Sequence, residues 1–298
     1  MKANRLYNIF LISTLFTDIT LTEQKIVTIW IHGTMIPKVP QMVRESHFNR
    51  NLGLFPISDY FQNRTITTNA PLSLVNIANA LHNSEPSIFA LEHYYVFGWS
   101  GRPSFGEREH AANILYTNLI RLKEEYIASY GDAPFIRIIS HSHGGNVVLN
   151  LAPLCKDNQN FYIDEIILLA CPVQKKTKHF IQSPCFKKIY AFYSNADIIQ
   201  IIDPQRLYKE NRDTKKFFSQ RKFKGLKNLY QTQVQMNEKS LGHIDFISAH
   251  FLCHLYDLCR HIEQFYHSTI AEQKDYQKII DIHIQKDQSV KFLRKLRP

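Results

Sequence analysis

The sequence lacks any run of the roughly 18–20 apolar residues that a membrane-spanning helix requires. It also lacks a CxxC pair, so no cysteine spacing points to a zinc site. The cysteines are few and odd in number, and we expect reduced thiols of the core at Cys155, Cys171, Cys185, Cys253 and Cys259. Reduced thiols favour a cytoplasmic location. No internal repeat and no boundary between domains is recognisable.

The first 24 residues allow two interpretations. Lys2 and Arg5 precede an apolar segment, residues 6–16, and this order resembles a secretory leader. Asn8 and Ser13 interrupt the segment, however, and no small-x-small cleavage site follows it. The alternative is a peripheral strand or helix that packs on the domain, so residues 1–24 are treated as a separate N-terminal segment.

Acidic charge is scarce relative to basic charge, with 26 Asp and Glu against 36 Lys and Arg and a net charge of +10. Basic side chains concentrate in residues 205–227 and recur in a polar C-terminal tail, residues 271–298. This surplus predicts attraction to an anionic surface, such as phospholipid, nucleic acid or an acidic partner. The alternative is a solvated face without a partner, and no specific nucleic acid is predicted.

Short apolar strands alternate with helical patterns along most of the chain. Residues 25–31 are apolar on both faces, which is typical of a buried parallel strand. Further strands are expected at 94–99, 136–139, 163–170, 188–193 and 226–236, and helices at 71–82, 107–130 and 245–265. The alternation predicts one α/β domain, residues 25–270, with a mostly parallel twisted sheet and helices on both faces.

A serine stands at the tip of a tight turn in the stretch Ile136–Val148, which opens as an apolar strand and resumes as an apolar helix. Because strand and helix pack closely two residues either side of a nucleophile, both positions need small side chains. Ser140 and Gly144 meet this requirement around Ser142, whereas centring on Ser140 would place Ile138 at one of them. Ser142 is therefore the candidate nucleophile. The alternative is a Ser/Gly-rich turn without chemistry.

A serine hydroxyl needs a base that removes its proton and an acid that orients the base. Asp197 follows the strand at 188–193, at the edge where sites of open α/β sheets form. His243 follows the last expected strand and precedes the amphipathic helix. We predict Asp197 as the acid and His243 as the base. The alternatives are a helix-capping aspartate and a surface histidine, and Asp203 is a weaker candidate acid because Pro204 follows it.

An acyl-transfer site also needs N–H donors for the oxyanion of the tetrahedral intermediate. The backbone N–H of His143, at a helix N-terminus, is one candidate, and that of Thr34, after the first buried strand, is the other. Gly33 allows the backbone to approach the site, His32 is expected to brace it through hydrogen bonds, and both are candidates for the lining of the substrate pocket. Trp99 follows the next strand and is a candidate for the pocket mouth, with a plain turn as the alternative.

Together these segments resemble the lipase and esterase-like branch of the α/β-hydrolase superfamily. The resemblance covers most of residues 25–266 and depends on Ile29–Thr34, Ser140–Gly145, Leu168–Val173, Ser194–Asp197 and Gly242–His243. It implies a serine hydrolase that cleaves an ester or thioester through Ser142, His243 and Asp197, without a metal or other cofactor. Ser140 departs from the glycine usual at its position, and the basic stretch before His243 departs from the usual spacing.

Two features leave part of the function open. Residues 35–70 form a long excursion without periodicity, and such loops often serve a site. Its aromatics Phe55, Tyr60 and Phe61 either belong to a lid over an acyl chain or pin the loop to the core. The basic segment supports a rival hypothesis, a catalytically silent hydrolase scaffold that binds an anionic membrane or nucleic-acid surface. Both functions can coexist in a lipid hydrolase that docks on an anionic membrane.

Overall fold

The computed structural model describes residues 24–34, 51–62, 72–156, 158, 160–202, 219–269, 277–285 and 289–297. The leader-like segment 6–16, most of the excursion 35–70, Asp203 and the first part of the basic segment lie outside these residues. Within the described residues, no helix is both long enough and apolar enough to cross a membrane.

One mixed sheet organises the described residues. Its strands are β1 Ile26–Ile31, β2 Gly53–Pro56, β3 Tyr94–Gly98, β4 Phe135–His141, β5 Ile163–Leu169, β6 Phe186–Tyr193, β7 Leu229–Met236, β8 Lys239–Ser240, β9 Gln277–Ile284 and β10 Val290–Arg297. Their order is β2-β3-β1-β4-β5-β6-β7-β9-β10, with β8 paired to β7. The strands from β3 to β9 in this order pair in parallel, whereas β2, β8 and β10 pair antiparallel. The sheet is therefore mixed, with its antiparallel strands outside the parallel centre.

Helices pack against this sheet, and serines and a glycine set several of their ends. The α-helices are α1 Ser58–Gln62, α2 Leu74–Ser84, α3 Phe105–Tyr130, α4 Gly144–Leu149, α5 Ala249–Leu252 and α6 Leu255–Thr269. Helix α3 begins where the Ser104 hydroxyl accepts the N–H of Glu107 at 3.5 Å. It ends at Gly131, whose φ of 86° lies in the left-handed region that glycine adopts without strain.

The sheet separates two apolar cores. Strand side chains alternate between its faces, so Ile29 joins α3 and α4 on one face. Trp30 joins α2, α5 and α6 on the other. Both faces of the central strands are therefore covered, which explains why β1 reads as a continuous apolar run rather than an alternating one.

Two regions differ from the sequence-based expectation. The helix expected at 245–265 is interrupted: a 3₁₀ turn, Asp245–Ile247, precedes Ser248, whose hydroxyl accepts the N–H of Phe251 at 3.3 Å and starts α5. The segment interpreted as a polar and basic tail, residues 271–298, contributes β9 and β10 to the sheet. The sheet thus continues beyond residue 270, where the sequence pattern ends the domain, and β7 is not its last strand.

Candidate active site

The carboxyl ends of β1 and β4 meet in the middle of the sheet. The two strands pair in parallel with Ile31 opposite Ser140, and β3 pairs with β1 on its other side. In the sheet, β3 lies on one side of β1 and β4 lies on the other, so the chain crosses over β1 between these two strands. The direction in which strands are added to the sheet therefore reverses at β1. Ligands of open α/β sheets bind outside the carboxyl ends of strands at such a switch point. Gly33 follows one of these two strands and Ser142 follows the other.

Ser142 lies in a strained turn between β4 and α4. Its φ is 53°, in the left-handed region that non-glycine residues rarely adopt. Its N–H donates to the Leu169 carbonyl at 2.9 Å, and its carbonyl accepts the N–H of Gly145 at 3.1 Å. These two bonds hold the conformation against a strain of about 1–3 kcal/mol. Such outliers concentrate at functional sites, where the surrounding structure over-determines them.

Small residues around Ser142 allow the backbone segments to approach each other. A Cβ atom at Gly33 would lie 2.7 Å from the Ser142 Cβ, and one at Gly144 would lie 2.6 Å from the His32 carbonyl oxygen. Neither contact is sterically tolerable, so both positions require glycine. Ser140, the other small position, is fully buried. The steric requirement inferred from the sequence at position 144 therefore has a physical counterpart in the packing of α4 against the end of β1.

Asp197 and His243 form a buried pair. The His243 Nδ1 lies 2.8 Å from the Asp197 Oδ2, although 46 residues separate them along the chain. An ionised carboxylate only accepts, so Nδ1 carries the proton and donates it. The second carboxylate oxygen accepts the N–H of Gln200 at 2.9 Å. Both side chains are at least 95% buried, so the pair is shielded from bulk water.

The two residues that flank Ser142 interact with His243. The His141 ring lies 4.6 Å from the His243 ring, centroid to centroid, and its Nε2 lies 3.0 Å from the His243 carbonyl oxygen. Burial lowers the pKa of His143 well below its usual value, and its electrostatic interactions with Arg108 and His243 lower it further. His143 is therefore neutral at physiological pH. The turn that carries Ser142 is in this way adjacent to the Asp197–His243 pair.

Among the described side chains, no hydrogen bond joins the Ser142 hydroxyl to the His243 imidazole. Ser142 itself is 6% exposed. The structure thus brings together Asp197 and His243 directly, and brings the turn of Ser142 to them through His141 and His143.

Thr34 and His143, the candidate oxyanion donors, follow β1 and β4 respectively. His143 is the N-cap residue of α4, and its carbonyl accepts the N–H groups of Asn146 and Val147. Thr34 is half-buried and is the last described residue after β1. Its Oγ1 is buried without a hydrogen-bond partner among the described residues. The use of their N–H groups for an oxyanion stays a prediction.

His32 and Trp99 support one another. The Trp99 indole N–H donates to the His32 carbonyl at 2.8 Å, and the Trp99 backbone N–H lies 3.4 Å from the His32 Nε2. Their rings stack with centroids 5.6 Å apart. Both residues are almost completely buried. Trp99 therefore braces the end of β1 from within the core rather than bordering an open mouth, and His32 has the bracing contacts expected of it.

Arg221 is a site residue that the sequence analysis counted only as part of a basic segment. Its guanidinium donates to three main-chain carbonyls of the loop after β6: Ser194 at 2.9 Å, Asn195 at 3.0 Å and Asp197 at 2.8 Å. One side chain therefore holds the loop that carries the Asp197 carboxylate at three of its carbonyls. No local pattern distinguishes Arg221 from its basic neighbours, because its partners are backbone atoms distant in sequence.

The remaining basic residues and the aromatics of the excursion show no single role. Lys222, Lys224 and Lys227 are exposed. In the excursion, Tyr60 packs against the core on the α2 face, whereas Phe61 is 40% exposed. In the described part of the chain, no group of three or more His, Cys, Asp or Glu residues is arranged to hold a metal ion.

Comparisons with known proteins give a distant likeness to solved structures. No family model matches the chain, and no curated protein sequence matches it. Among solved structures, that of esterase PE8 matches over 80% of this chain and 93% of the esterase chain, with 12% sequence identity and a TM-score of 0.38. A likeness at this TM-score is too distant to transfer residues or activity from one protein to the other.

Proposed function

We propose that this protein is a serine hydrolase of the α/β-hydrolase fold that cleaves a carboxylic ester or thioester, with Ser142 as nucleophile, His243 as base and Asp197 as acid. One observation carries the proposal. The serine with a left-handed φ lies at the switch point of the sheet, and its flanking residue His141 contacts a buried histidine that is paired to an aspartate.

The proton chemistry follows from the Asp197–His243 bond. Because Nδ1 donates to the carboxylate, the His243 Nε2 is the nitrogen that is free to accept the Ser142 proton. The Ser142 oxygen attacks the acyl carbon, and the Asp197 carboxylate stabilises the resulting imidazolium. His243 then protonates the departing alkoxide or thiolate, which leaves an acyl-Ser142 ester. In the second half, His243 removes a proton from water, which attacks this ester; His243 then returns the proton to the departing Ser142 oxygen, and the acid is released.

The proposal requires the Ser142 hydroxyl to turn towards His243 before this sequence starts. Catalytic hydrogen bonds in unliganded enzymes are often long and shorten only when substrate binds. The neutral state of His143 favours the same chemistry, because a second imidazolium beside His243 would oppose its protonation.

Oxyanion stabilisation is assigned to two backbone donors. The His143 N–H stands at the start of α4, where the helix dipole favours negative charge. The Thr34 N–H would approach from β1, where Gly33 allows close contact with Ser142. His32 and Trp99 hold this strand end rigid, and a rigid donor does not have to reorganise during the reaction.

Covalent labelling with a fluorophosphonate probe tests the proposal. Wild type is expected to label at Ser142, and Ser142→Ala is expected to lose both labelling and hydrolysis of p-nitrophenyl esters, by roughly 10⁴- to 10⁶-fold in kcat. Ser140→Ala is the matched control, because it removes a hydroxyl two residues away and is expected to label like wild type. Equal labelling of wild type and Ser142→Ala would refute the assignment. A series of acyl chain lengths then defines the substrate class.

A second function, docking on an anionic membrane, is favoured by the exposed Lys222, Lys224 and Lys227. Co-sedimentation with phosphatidylserine vesicles over a salt series tests it, because binding through lysines weakens as salt rises. The Ser142→Ala variant is expected to bind such vesicles as wild type does. Binding that does not change with salt, or no binding, would contradict this function without affecting the first.

A further inference from the structure

A cavity of about 300 Å³ lies between the sheet and α6, towards the amino ends of the parallel strands. Strands β1, β4, β5 and β6 and helix α6 all contribute to its wall, which includes Arg137 on β4 and Glu263 on α6. Ser142 follows the carboxyl end of β4, five residues beyond Arg137. At about 3.3 Å per residue of strand, this separation is roughly 16 Å. The cavity is therefore distinct from the candidate active site.

A row of polar residues crosses the sheet beside this cavity. Strand pairing places one residue each of β3, β1, β4, β5 and β6 in register: Tyr94, Thr28, Arg137, Glu165 and Lys188. Residues in register on parallel strands share one face, and Tyr94 belongs to the core on the α6 side of the sheet. The first four are at most 7% exposed. Because apolar side chains would fill this face with less desolvation, packing alone does not explain the row.

The Arg137 guanidinium is held in one orientation. Its Nε donates to the Glu165 carboxylate, and its Nη1 donates to the Ile88 carbonyl at 3.3 Å. The Phe89 and Phe135 rings lie 5.1 Å and 5.7 Å from its central carbon. An arginine has five N–H groups, so three of them have no hydrogen-bond partner among the described residues. Arg137 lines the cavity as a preorganised donor with unused capacity.

The other charges of the cavity leave a surplus of positive charge. Lys188 donates to Glu263 Oε1 at 2.9 Å, and the Tyr190 hydroxyl donates to the same oxygen. Arg260 is exposed and lies 5.9 Å from the Tyr256 ring, and it forms no ion pair in the described part of the chain. Three cationic side chains thus line the cavity against two carboxylates. A ligand with a single negative charge would balance them.

Two hydroxyl groups of the polar row lack hydrogen bonds. Thr28 Oγ1 and the Tyr94 hydroxyl are buried without a hydrogen-bond partner among the described residues. Thr28 stands directly opposite Arg137 in the pairing of β1 with β4. Buried polar groups are nearly always bonded to protein, water or another molecule. The packing beside Arg137 therefore does not satisfy the polar groups that it encloses.

We propose that this cavity is a binding site for a small monocarboxylate with a flat apolar body. The unused N–H groups of Arg137 bind the carboxylate, and Arg260 adds positive charge from the exposed side. The Phe89 and Tyr256 rings, which meet edge to face with centroids 6.3 Å apart, pack against the apolar body. The volume is at the lower end of the roughly 300–1,000 Å³ of small-molecule sites, which restricts the ligand to a small acid. The site uses no residue of the proposed hydrolysis.

Calorimetric titration of the full chain with benzoate and with its neutral analogue benzamide tests the proposal. Benzoate is expected to bind about tenfold more tightly, because only the carboxylate forms charged hydrogen bonds with Arg137. Ser142→Ala is expected to bind benzoate as wild type does, which separates this site from the candidate active site. Equal affinities for the two compounds, no binding of benzoate, or loss of binding in Ser142→Ala would each overturn the proposal.

Substitutions distinguish this cavity from general attraction to a basic protein. Arg137→Lys keeps the charge without the planar guanidinium, and we expect it to weaken benzoate binding by about tenfold. Arg260→Gln should weaken it by about two- to fivefold, since its charge is exposed. Arg121→Gln is the matched control, because Arg121 is an exposed helical arginine on α3, and it should bind like wild type. Unchanged affinity in both cavity variants, or an equal loss in the control, would contradict the assignment.

Photolabelling of the wild-type protein decides the location even if Arg137→Lys fails to fold. The probe is 4-azidobenzoate, and the readout is peptide mapping after irradiation. We expect label on the segment around Phe89 or on residues 256–263 of α6, and excess benzoate should prevent it. Label confined to other segments, or label that benzoate does not reduce, would overturn the proposal.

Discussion

Two buried aspartates of this protein accept the same kinds of hydrogen bond, but from different basic side chains. Asp197 accepts the N–H of Gln200 on Oδ1 at 2.9 Å and that of the His243 ring on Oδ2 at 2.8 Å. Asp281, on β9, accepts the N–H of Glu238 on Oδ1 at 3.0 Å and the Lys295 ammonium on Oδ2 at 2.9 Å. In both cases one oxygen holds the backbone and the other holds a basic side chain.

The two pairs differ in the proton chemistry that the basic partner can carry out. An imidazole changes its charge near neutral pH and has a second nitrogen to offer, whereas a lysine ammonium stays protonated. His243 also contacts the turn of Ser142 through His141. Lys295 is one-third exposed at the edge of the sheet, where it joins β10 to β9. A buried carboxylate with two hydrogen bonds is therefore no sign of chemistry by itself, and its partner decides its role.

The sharpest test of this comparison replaces each aspartate by asparagine. Asp197→Asn is expected to lower kcat for p-nitrophenyl esters by about 10⁴-fold, because the amide no longer holds the productive tautomer of His243. Asp281→Asn is expected to leave kcat within about twofold, since it lies outside the site. Steady-state kinetics of both variants gives the answer. Equal losses would show that Asp197 acts only through stability.

Arg221 distinguishes the support of Asp197 from its chemistry. Arg221→Gln removes the clamp on three carbonyls, and we expect kcat to fall by up to about 100-fold through misplacement of the carboxylate. The exposed neighbour supplies the control, because Lys222→Gln removes the same charge without a loop contact. KM values and pH–rate profiles should accompany kcat. A decrease of the same size in both variants would mean that charge, not the clamp, is responsible.

The Asp281 pair should matter to stability. Asp281→Asn removes the charged hydrogen bond to Lys295, and we expect the free energy of unfolding in urea to fall by about 1–3 kcal/mol. Glu238→Gln is the comparison, because the Glu238 carboxylate is 75% exposed and lies 3.7 Å from the same ammonium. Its loss should remain below about 1 kcal/mol. The reverse order of the two losses would contradict the importance given to burial.

The smallest expected effect is seen at alkaline pH. The hydrogen bond to Asp281 raises the pKa of Lys295 above its ordinary value of 10.5. A raised pKa stabilises the folded protein fully below pH 10.5, and this contribution is lost as the pH rises through the folded-state value. The stability difference between wild type and Asp281→Asn should therefore shrink above pH 10.5. A difference that stays constant up to the folded-state pKa and beyond would contradict the linkage.

Much of the sheet follows from local patterns, because the central strands are apolar on both faces and bounded by glycine or polar residues. The chain order Ser142, Asp197, His243 also leads to two side chains that lie 2.8 Å apart. The tail illustrates where such reasoning fails. Ile279, Ile280 and Ile282 are typical of a strand, but the polar and basic composition around them led to their interpretation as part of a polar and basic tail.

Other features depend on contacts that no local pattern contains. The break before α5 requires Ser248 to begin a new helix where apolar periodicity alone predicts continuation. Arg221 resembles its lysine-rich neighbours until the loop after β6 folds over it. His141 is one of several histidines until β4 places its ring against His243. Each of these residues acquires its role from a partner far away in sequence.

The left-handed backbone at Ser142 has a consequence for how this protein can change over time. Glycine would relieve the strain at this position, so Ser142→Gly is a substitution that favours a more durable fold at the expense of any hydroxyl chemistry. A lineage released from the need for catalysis would lose little by drifting to glycine or asparagine here. If homologous chains keep serine at this position, selection for its reactivity has continued, because stability alone would favour its replacement.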